Sequence, residues 1–368
     1  MSAGDITALQ LLGPSTGGIR VHVAALAGGL ERRGLAAPVL GPAGVLGDLG
    51  NQAGDVRVPA GVSPLSLLAA RHDLRPWRSG ADIVHAHGLK AAWVALGGRP
   101  RRPLVMTVHN VVLDEAAGRS ADFQRRLERH VLGKADRVIA PTAAIADRII
   151  GTVPSDRLRV VAPTFPTAHP GDARATVREA WGVDDDTPVV ICVARLHPQK
   201  DLETLLGAWV SVVSDHPTAR LGIVGEGPSR ADLEGLATKL GIERSVHFLG
   251  FRPHAVDEIA AADAMVLTSL WEAIPIVLVE AMQLGVPVVS TDVGLASDLL
   301  ARADETGRTG GSVVPIGDVG GVARGLSALL EDPAEARSRG EVGRAVALEL
   351  FDPDTLVGAV ADVYEEVV

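Results

Sequence analysis

Ten apolar runs of four to seven residues punctuate this chain, and a turn and an amphipathic stretch of helical period tend to follow each. Strand, loop and helix in repetition is the signature of parallel sheets, because a parallel connection must cross over the sheet and a helix is the usual way across. In the first half the strands are expected at 6–12, 37–40, 83–86, 104–108 and 137–140. In the second they are expected at 189–193, 220–224, 246–249, 264–267 and 286–290. At 368 residues the chain exceeds the roughly 250 to 300 at which single cores stop growing, so each half is read as its own doubly wound domain. Aromatic residues make up only 3% of the chain, which leaves Val, Leu, Ile and Ala to fill both interiors.

The join is expected within 162–186, where APTFPTAHPGDA breaks both periodicities. That gives domains at 1–166 and 167–351. A short helix is expected over 174–181. An apolar C-terminal helix, about 352–368, could pack on either domain and is placed here as a return onto the first. The acidic run 184–186 reads as a solvated turn. Cys192 is the single cysteine, so an intrachain disulfide or a cysteine-based metal centre is excluded. The N-terminus has no basic segment followed by a long apolar run, and no stretch reaches the roughly 18 apolar residues of a membrane span. These features lead us to expect a cytoplasmic protein, at most peripheral at the cytoplasmic face of the membrane.

The net charge of -10 is unevenly spread. Residues 1–166 hold 20 Lys and Arg against 13 Asp and Glu, and residues 167–368 hold 15 against 32. A basic first half suits an anionic acceptor or peripheral contact with an anionic membrane surface. The segment 122–137 also sets Phe123, Leu127 and Val131 on one helical stripe, a pattern that serves a core as readily as a lipid surface. No nucleic-acid partner is expected.

The most specific chemistry lies in LWEAIPIVLVEAMQLGVPVVSTDVG at 270–294, where Glu272 and Glu280 are eight residues apart and Pro275 can start a helix. Glu272 then sits in the loop and Glu280 about one and a half turns in, with the positive helix end facing any anion bound there. Arg195 and Lys200 follow one strand in VICVARLHPQKDLETLLGAW, and Gly225 follows the next in GIVGEGPS. Phe251 and Arg252 close FLGFR. In the first half, Gly17 and Gly18 end the loop after the first strand, where missing side chains let backbone approach a phosphate or sugar. Histidines stand at strand ends in DIVHAHG and TVHN, namely His85, His87 and His109. A histidine beside a strand is more often a hydrogen-bonded core residue, and His85 is expected to be buried.

Together these stretches resemble the retaining family 4 glycosyltransferases, whose GT-B fold sets two Rossmann-like domains across a cleft. The resemblance implies transfer of a sugar from a nucleotide-diphosphate donor, a UDP- or GDP-sugar, to an acceptor the sequence does not identify, such as a lipid, a glycan or a small molecule. It implies no cofactor and no metal. By resemblance Arg195 and Lys200 hold the diphosphate, Glu280 the ribose, and Glu272 with His109 the transferred sugar. Backbone at Ala273, Ile274, Pro275, Ile276 and Val277 meets sugar and phosphate, Gly17, Gly18 and Gly225 border the donor, and Phe251 and Arg252 border the base. The chain departs from the pattern twice. Ala273 stands where Gly is usual, and 162–166 (APTFP) replaces a Pro-Asn-Gly motif. A sugar-nucleotide epimerase on the same architecture and a non-catalytic nucleotide-sugar-binding protein are the alternatives. A dinucleotide oxidoreductase is disfavoured, because neither half shows GxGxxG after its first strand.

Overall fold

The protein is described here by a computed structural model covering residues 6–14, 18–46, 53–61, 63–109, 121–168, 173–252, 255–272 and 274–368. It divides into two compact units, one built from Met1–Pro166 with Phe351–Val368 and the other from Thr167–Leu350.

The first unit carries strands β1 (Ala8–Leu12), β2 (Val39–Gly41), β3 (Ala53–Asp55), β4 (Ile83–His87), β5 (Leu104–Thr107), β6 (Arg137–Ala140) and β7 (Leu158–Val160). They form one parallel sheet in the order β3-β2-β1-β4-β5-β6-β7. The second unit carries β8 (Val189–Val193), β9 (Arg220–Val224), β10 (Val246–Gly250), β11 (Ala264–Leu267), β12 (Val288–Thr291) and β13 (Gly311–Val314). Its sheet runs β10-β9-β8-β11-β12-β13, again all parallel. Both orders reverse direction beside the first strand, between β1 and β4 and between β8 and β11. Loops leaving the carboxyl ends of such a pair diverge and open a crevice, the usual ligand position of doubly wound sheets.

Three strands escape the apolar-run reading: AGD in β3, LRV in β7 and GSVV in β13. Each is short and rich in glycine or polar residues, and each lies at a sheet edge. The expected strand at 286–290 begins instead at Val288. The Val286 amide closes the preceding helix on the Ala281 carbonyl, and Pro287 has no N–H to give the ladder.

The C-terminal helix Pro353–Glu365 belongs to the first unit, where Leu356, Val357, Val360, Val363 and Tyr364 are buried. Burying an aliphatic side chain of this size contributes about 1.5 to 3 kcal/mol. The helix lies against Gly18–Arg32, and a Cβ on Gly29 would stand 2.5 Å from Val357 Cγ2, so only glycine permits the approach. This return also changes the charge. Asp352, Asp354, Asp362, Glu365 and Glu366 bring the first unit to 18 acidic against 20 basic residues, so the basic excess of 1–166 nearly vanishes. Glu366 accepts from Arg137 Nε at 2.6 Å and from Arg159 Nη2 at 2.7 Å. No described helix is long and apolar enough to cross a membrane. Of the stripe in the helix Ala121–Leu132, Val131 is buried and Leu127 half-buried; the Phe123 side chain lies outside the described residues.

Candidate functional site

In the second unit the loop after β8 and the loop after β11 are tied together. Gln199 Nε2 donates to the Trp271 carbonyl at 2.8 Å, and the Leu270 amide donates to the Gln199 carbonyl at 2.9 Å. Thr268 Oγ1 donates to the Lys200 carbonyl at 3.1 Å. The turn Pro198–Lys200 ends at Asp201, whose left-handed backbone (φ 44°) redirects the chain into the helix Leu202–Asp215. These ties bring Lys200 Nζ onto Glu272 Oε1 as a largely buried ion pair, with Ser269 Oγ donating to the same oxygen at 2.9 Å. Both donors converge on Oε1, so Oε2 keeps its acceptor capacity among the described residues.

Pro275 caps the helix Ile276–Gln283 without a side-chain hydrogen bond; the Leu278 amide donates to the Pro275 carbonyl at 3.0 Å, and the Ile276 and Val277 amides have no acceptor among the described residues. Glu280 is the fifth helical residue and half-buried, and burial pushes its carboxyl above the usual range. Among the described residues no group donates to it. A desolvated carboxylate without donors is costly and suits a ligand that brings hydroxyls. Arg195 is exposed and has no ion-pair partner among the described residues. Ile274, Ile276 and Val277 are half-buried and Pro275 buried.

Gly225 has a structural reason of its own. At φ 137° its Cβ would fall 1.9 Å from the Ala194 carbonyl oxygen, and one on Gly227 would fall 2.2 Å from that of Leu196. The loop after β9 is thereby laid against the Arg195 segment, and the Leu196 amide donates to the Glu226 carbonyl at 3.0 Å. Past β10, Phe251 is 70% exposed, a free aromatic face, while Arg252 Nε donates to Glu258 Oε1 at 2.9 Å. Ala273 lies outside the described residues.

The first unit's crevice has a different chemistry. Gln10 on β1 pairs in register with His85 on β4, and His87 with Thr107 on β5, so one sheet face turns from apolar to polar toward its carboxyl end. Gln10 Nε2 donates to the Ala8 carbonyl at 2.9 Å and to Tyr364 Oη at 3.0 Å, which leaves Oε1 to accept from His87 Nε2 at 3.1 Å. Tyr364 then donates to His85 Nδ1 at 2.8 Å, and His85 Nε2 donates to Thr107 Oγ1 at 2.7 Å. Each polar group in this chain has a partner, as a dry interior demands. Burial pulls His22 down to about 4 and His85 to about 3, holds His87 and His109 well below the ordinary value, and pushes the Tyr364 hydroxyl up. At neutral pH the four imidazoles are therefore uncharged.

His85 is buried, as expected for a strand histidine, and so is His87; His109 is half-buried. Gly18 is the first residue of the helix Gly18–Arg32, while Gly17 and Asn110 lie outside the described residues. The departure at 162–166 has a packing account. The buried Phe165 ring lies 6.3 Å from that of His22 and 6.4 Å from that of Phe351, so it braces the returning segment. Sequence reasoning passed over Gln10, His22, Tyr364, Gln199 and Ser269. The signals were thin: a glutamine inside ALQLL, a histidine on an apolar helix stripe, and the chain's only tyrosine.

Residues 173–346 match the family described as Glycosyl transferases group 1, and residues 16–169 match Glycosyltransferase Family 4. A D-inositol 3-phosphate glycosyltransferase of Streptomyces avermitilis is 31% identical over 82% of this chain and 70% of its own length. The chain spans 66% and 61% of the enzymes of the same name from Streptomyces bingchenggensis and Nocardia farcinica. A GDP-mannose-dependent alpha-(1-6)-phosphatidylinositol monomannoside mannosyltransferase of Mycolicibacterium smegmatis is 30% identical over 78% of this chain and 70% of its own length. The crystal structure of Anabaena HepE with UDP and glucose matches at a TM-score of 0.84, covering 98% of this chain and 100% of that one. At 24% identity that likeness concerns the fold.

Proposed function

This chain belongs to the glycosyl transferases group 1 family and is a glycosyltransferase of GT-B architecture, and from that premise we propose that it moves a sugar, with retention of configuration, from a UDP- or GDP-sugar to a hydroxyl acceptor. The observation that carries the reading is the Lys200–Glu272 pair at the switch point of the second sheet, flanked by Arg195, the helix start at Ile276 and Glu280, which among the described residues have no ion-pair partner, no side-chain cap and no donor respectively. A nucleotide-diphosphate sugar supplies what each of these lacks.

In this reading Arg195 and Lys200 meet the diphosphate, whose negative charge grows as the glycosidic bond breaks, and the first-turn N–H groups of the helix face the same anion. Glu280 accepts the two ribose hydroxyls. Glu272, fixed by Lys200 and Ser269 through Oε1, offers Oε2 to a sugar hydroxyl, and His109 takes a further one. Gly17, Gly18, Gly225, Phe251, Arg252 and the backbone from Ala273 to Val277 keep the donor-side roles implied by the resemblance. No step calls for a metal ion. The relatives named for inositol phosphate and phosphatidylinositol acceptors support a polyol acceptor bearing an anionic group. Peripheral membrane contact is proposed only with such a lipid acceptor.

Calorimetric titration with UDP- and GDP-sugars, on the parent and on Glu280→Ala, tests the donor site. The variant is expected to lose about 10- to 100-fold in affinity, since charge-assisted hydrogen bonds contribute about 1.5 to 3 kcal/mol each. Unchanged affinity would overturn the assignment. The anomeric configuration of the product, read by NMR, decides retention.

A further inference from the structure

Three histidines of the first unit meet from three separate elements: His22 from the helix Gly18–Arg32, His87 from the end of β4, and His109 two residues beyond β5. One ring nitrogen from each falls within 4.8 Å of the other two. The ring centroids are 5.6, 5.3 and 5.4 Å apart, a nearly equilateral set.

The outer nitrogens of two rings are already held. His87 Nε2 donates to Gln10 Oε1, so its Nδ1 carries a lone pair, and that atom stands 3.2 Å from His109 Nε2. His22 Nδ1 lies 3.1 Å from both the carbonyl oxygen and the amide nitrogen of Thr164, and in the tautomer that donates to the carbonyl Nε2 is left as the ligand atom. Imidazoles that bind a metal commonly donate their second N–H to such carbonyl groups, which fixes the tautomer and raises ligand basicity. A tetrahedral zinc with Zn–N bonds of about 2.0 to 2.1 Å sets its nitrogens about 3.3 Å apart, close to the His87–His109 separation. Thr164 also has a buried hydroxyl with no partner among the described residues, beside the ring its backbone holds.

We infer that His22, His87 and His109 form a binding site for one borderline-soft divalent cation, Zn2+ foremost, with a fourth position left for water or an anion. All-imidazole ligation selects zinc, cobalt, nickel or copper over magnesium and calcium, which prefer oxygen. Burial keeps the rings neutral, so no net proton has to leave; the N–H that His109 Nε2 donates to His87 Nδ1 shifts to His109 Nδ1 as the metal enters. The half-buried His109 is the exposed edge by which it enters. The site is not needed for transfer. A cation held there withdraws His109 from the sugar contact proposed above, so Zn2+ acts as an inhibitor; this consequence rests on the proposed function, whereas binding does not.

The test uses the whole chain, stripped with a chelator and titrated with Co2+. One equivalent should produce the visible absorption of four-coordinate cobalt and be displaced by Zn2+. His22→Ala and His109→Ala should each weaken binding at least about 10-fold, with circular dichroism confirming the fold, whereas His247→Ala, at an exposed position on β10 of the second unit, should bind like the parent. Absence of saturable one-equivalent binding overturns the site, and so does undiminished binding in both cluster variants, which would mark the metal as held by other surface groups. If Zn2+ binds through the cluster and transfer continues unslowed, the site stands and the sugar role of His109 falls.

Discussion

The two units share one order over six strands, to which the first adds β7 at an edge, and place their polar residues at the same end of the sheet, yet they treat charge in opposite ways. In the first, Gln10, His85, His87, Thr107 and Tyr364 satisfy one another as neutral groups in a dry interior. In the second, Lys200 and Glu272 are paired as ions, Arg195 stands in solvent and Glu280 keeps a carboxylate that nothing in the described protein answers. A neutral network is complete without a ligand, so its loss should appear as lost stability. A charged crevice is incomplete, and its loss should appear as lost binding or turnover.

Acid gives the sharpest way to break the comparison. The buried histidines of the first unit titrate below the unfolded value near 6.5, so between about pH 6.5 and pH 4 the unfolded chain binds more protons than the folded one. Stability present above pH 6.5 is therefore lost as pH falls through that window, by about 1.4 kcal/mol per pH unit for each histidine. In metal-free protein, hydrogen exchange at pH 4.5 should show β4 and β5 opening well before β8 and β11. Equal protection of the two sheets would remove the distinction.

Next in size is Arg195→Ala. Turnover should fall about 100- to 1,000-fold, the usual cost of one preorganised charge-stabilising group. The melting temperature should hold, because the side chain is exposed and has no ion-pair partner among the described residues. Glu280→Gln should separate binding from stability in the other direction. Its raised carboxyl means that ionisation opposes folding as pH rises through the folded value. The variant should therefore melt higher than the parent at pH 7.5, lose that advantage near pH 4, and bind donor more weakly throughout. The smallest effect belongs to Tyr364→Phe, which strands one N–H of Gln10 Nε2 and the lone pair of His85 Nδ1 and should cost about 1 to 3 kcal/mol in denaturant unfolding. Nucleotide affinity should not move.

Where the sequence was legible, one local rule sufficed. The central strands β1, β4, β5, β8, β9 and β11 are buried nearly throughout, and a largely apolar run bounded by turns reads as such a strand even where Gln10, His85 and His87 interrupt it. Edge strands such as AGD and LRV bury less and lose that signal. Glu272, Glu280, Arg195 and Lys200 were visible because chemistry at a phosphate and a sugar needs charge, and charge beside apolar runs stands out. Ser269 and Gln199, which hold the pair in place, carry no such mark.

By itself the sequence determined two parallel-sheet domains, their order along the chain, and the loops that bear the charged residues, since apolar period, turn residues and charge are local properties. Only the tertiary structure decided that Lys200 closes on Glu272, that the last helix returns to the first unit, and that His22, His87 and His109 share one space. Those facts depend on residues 72, about 350, and 22 to 87 positions apart. Separations of that kind are set by how helices cover a sheet and leave no pattern in the residues between.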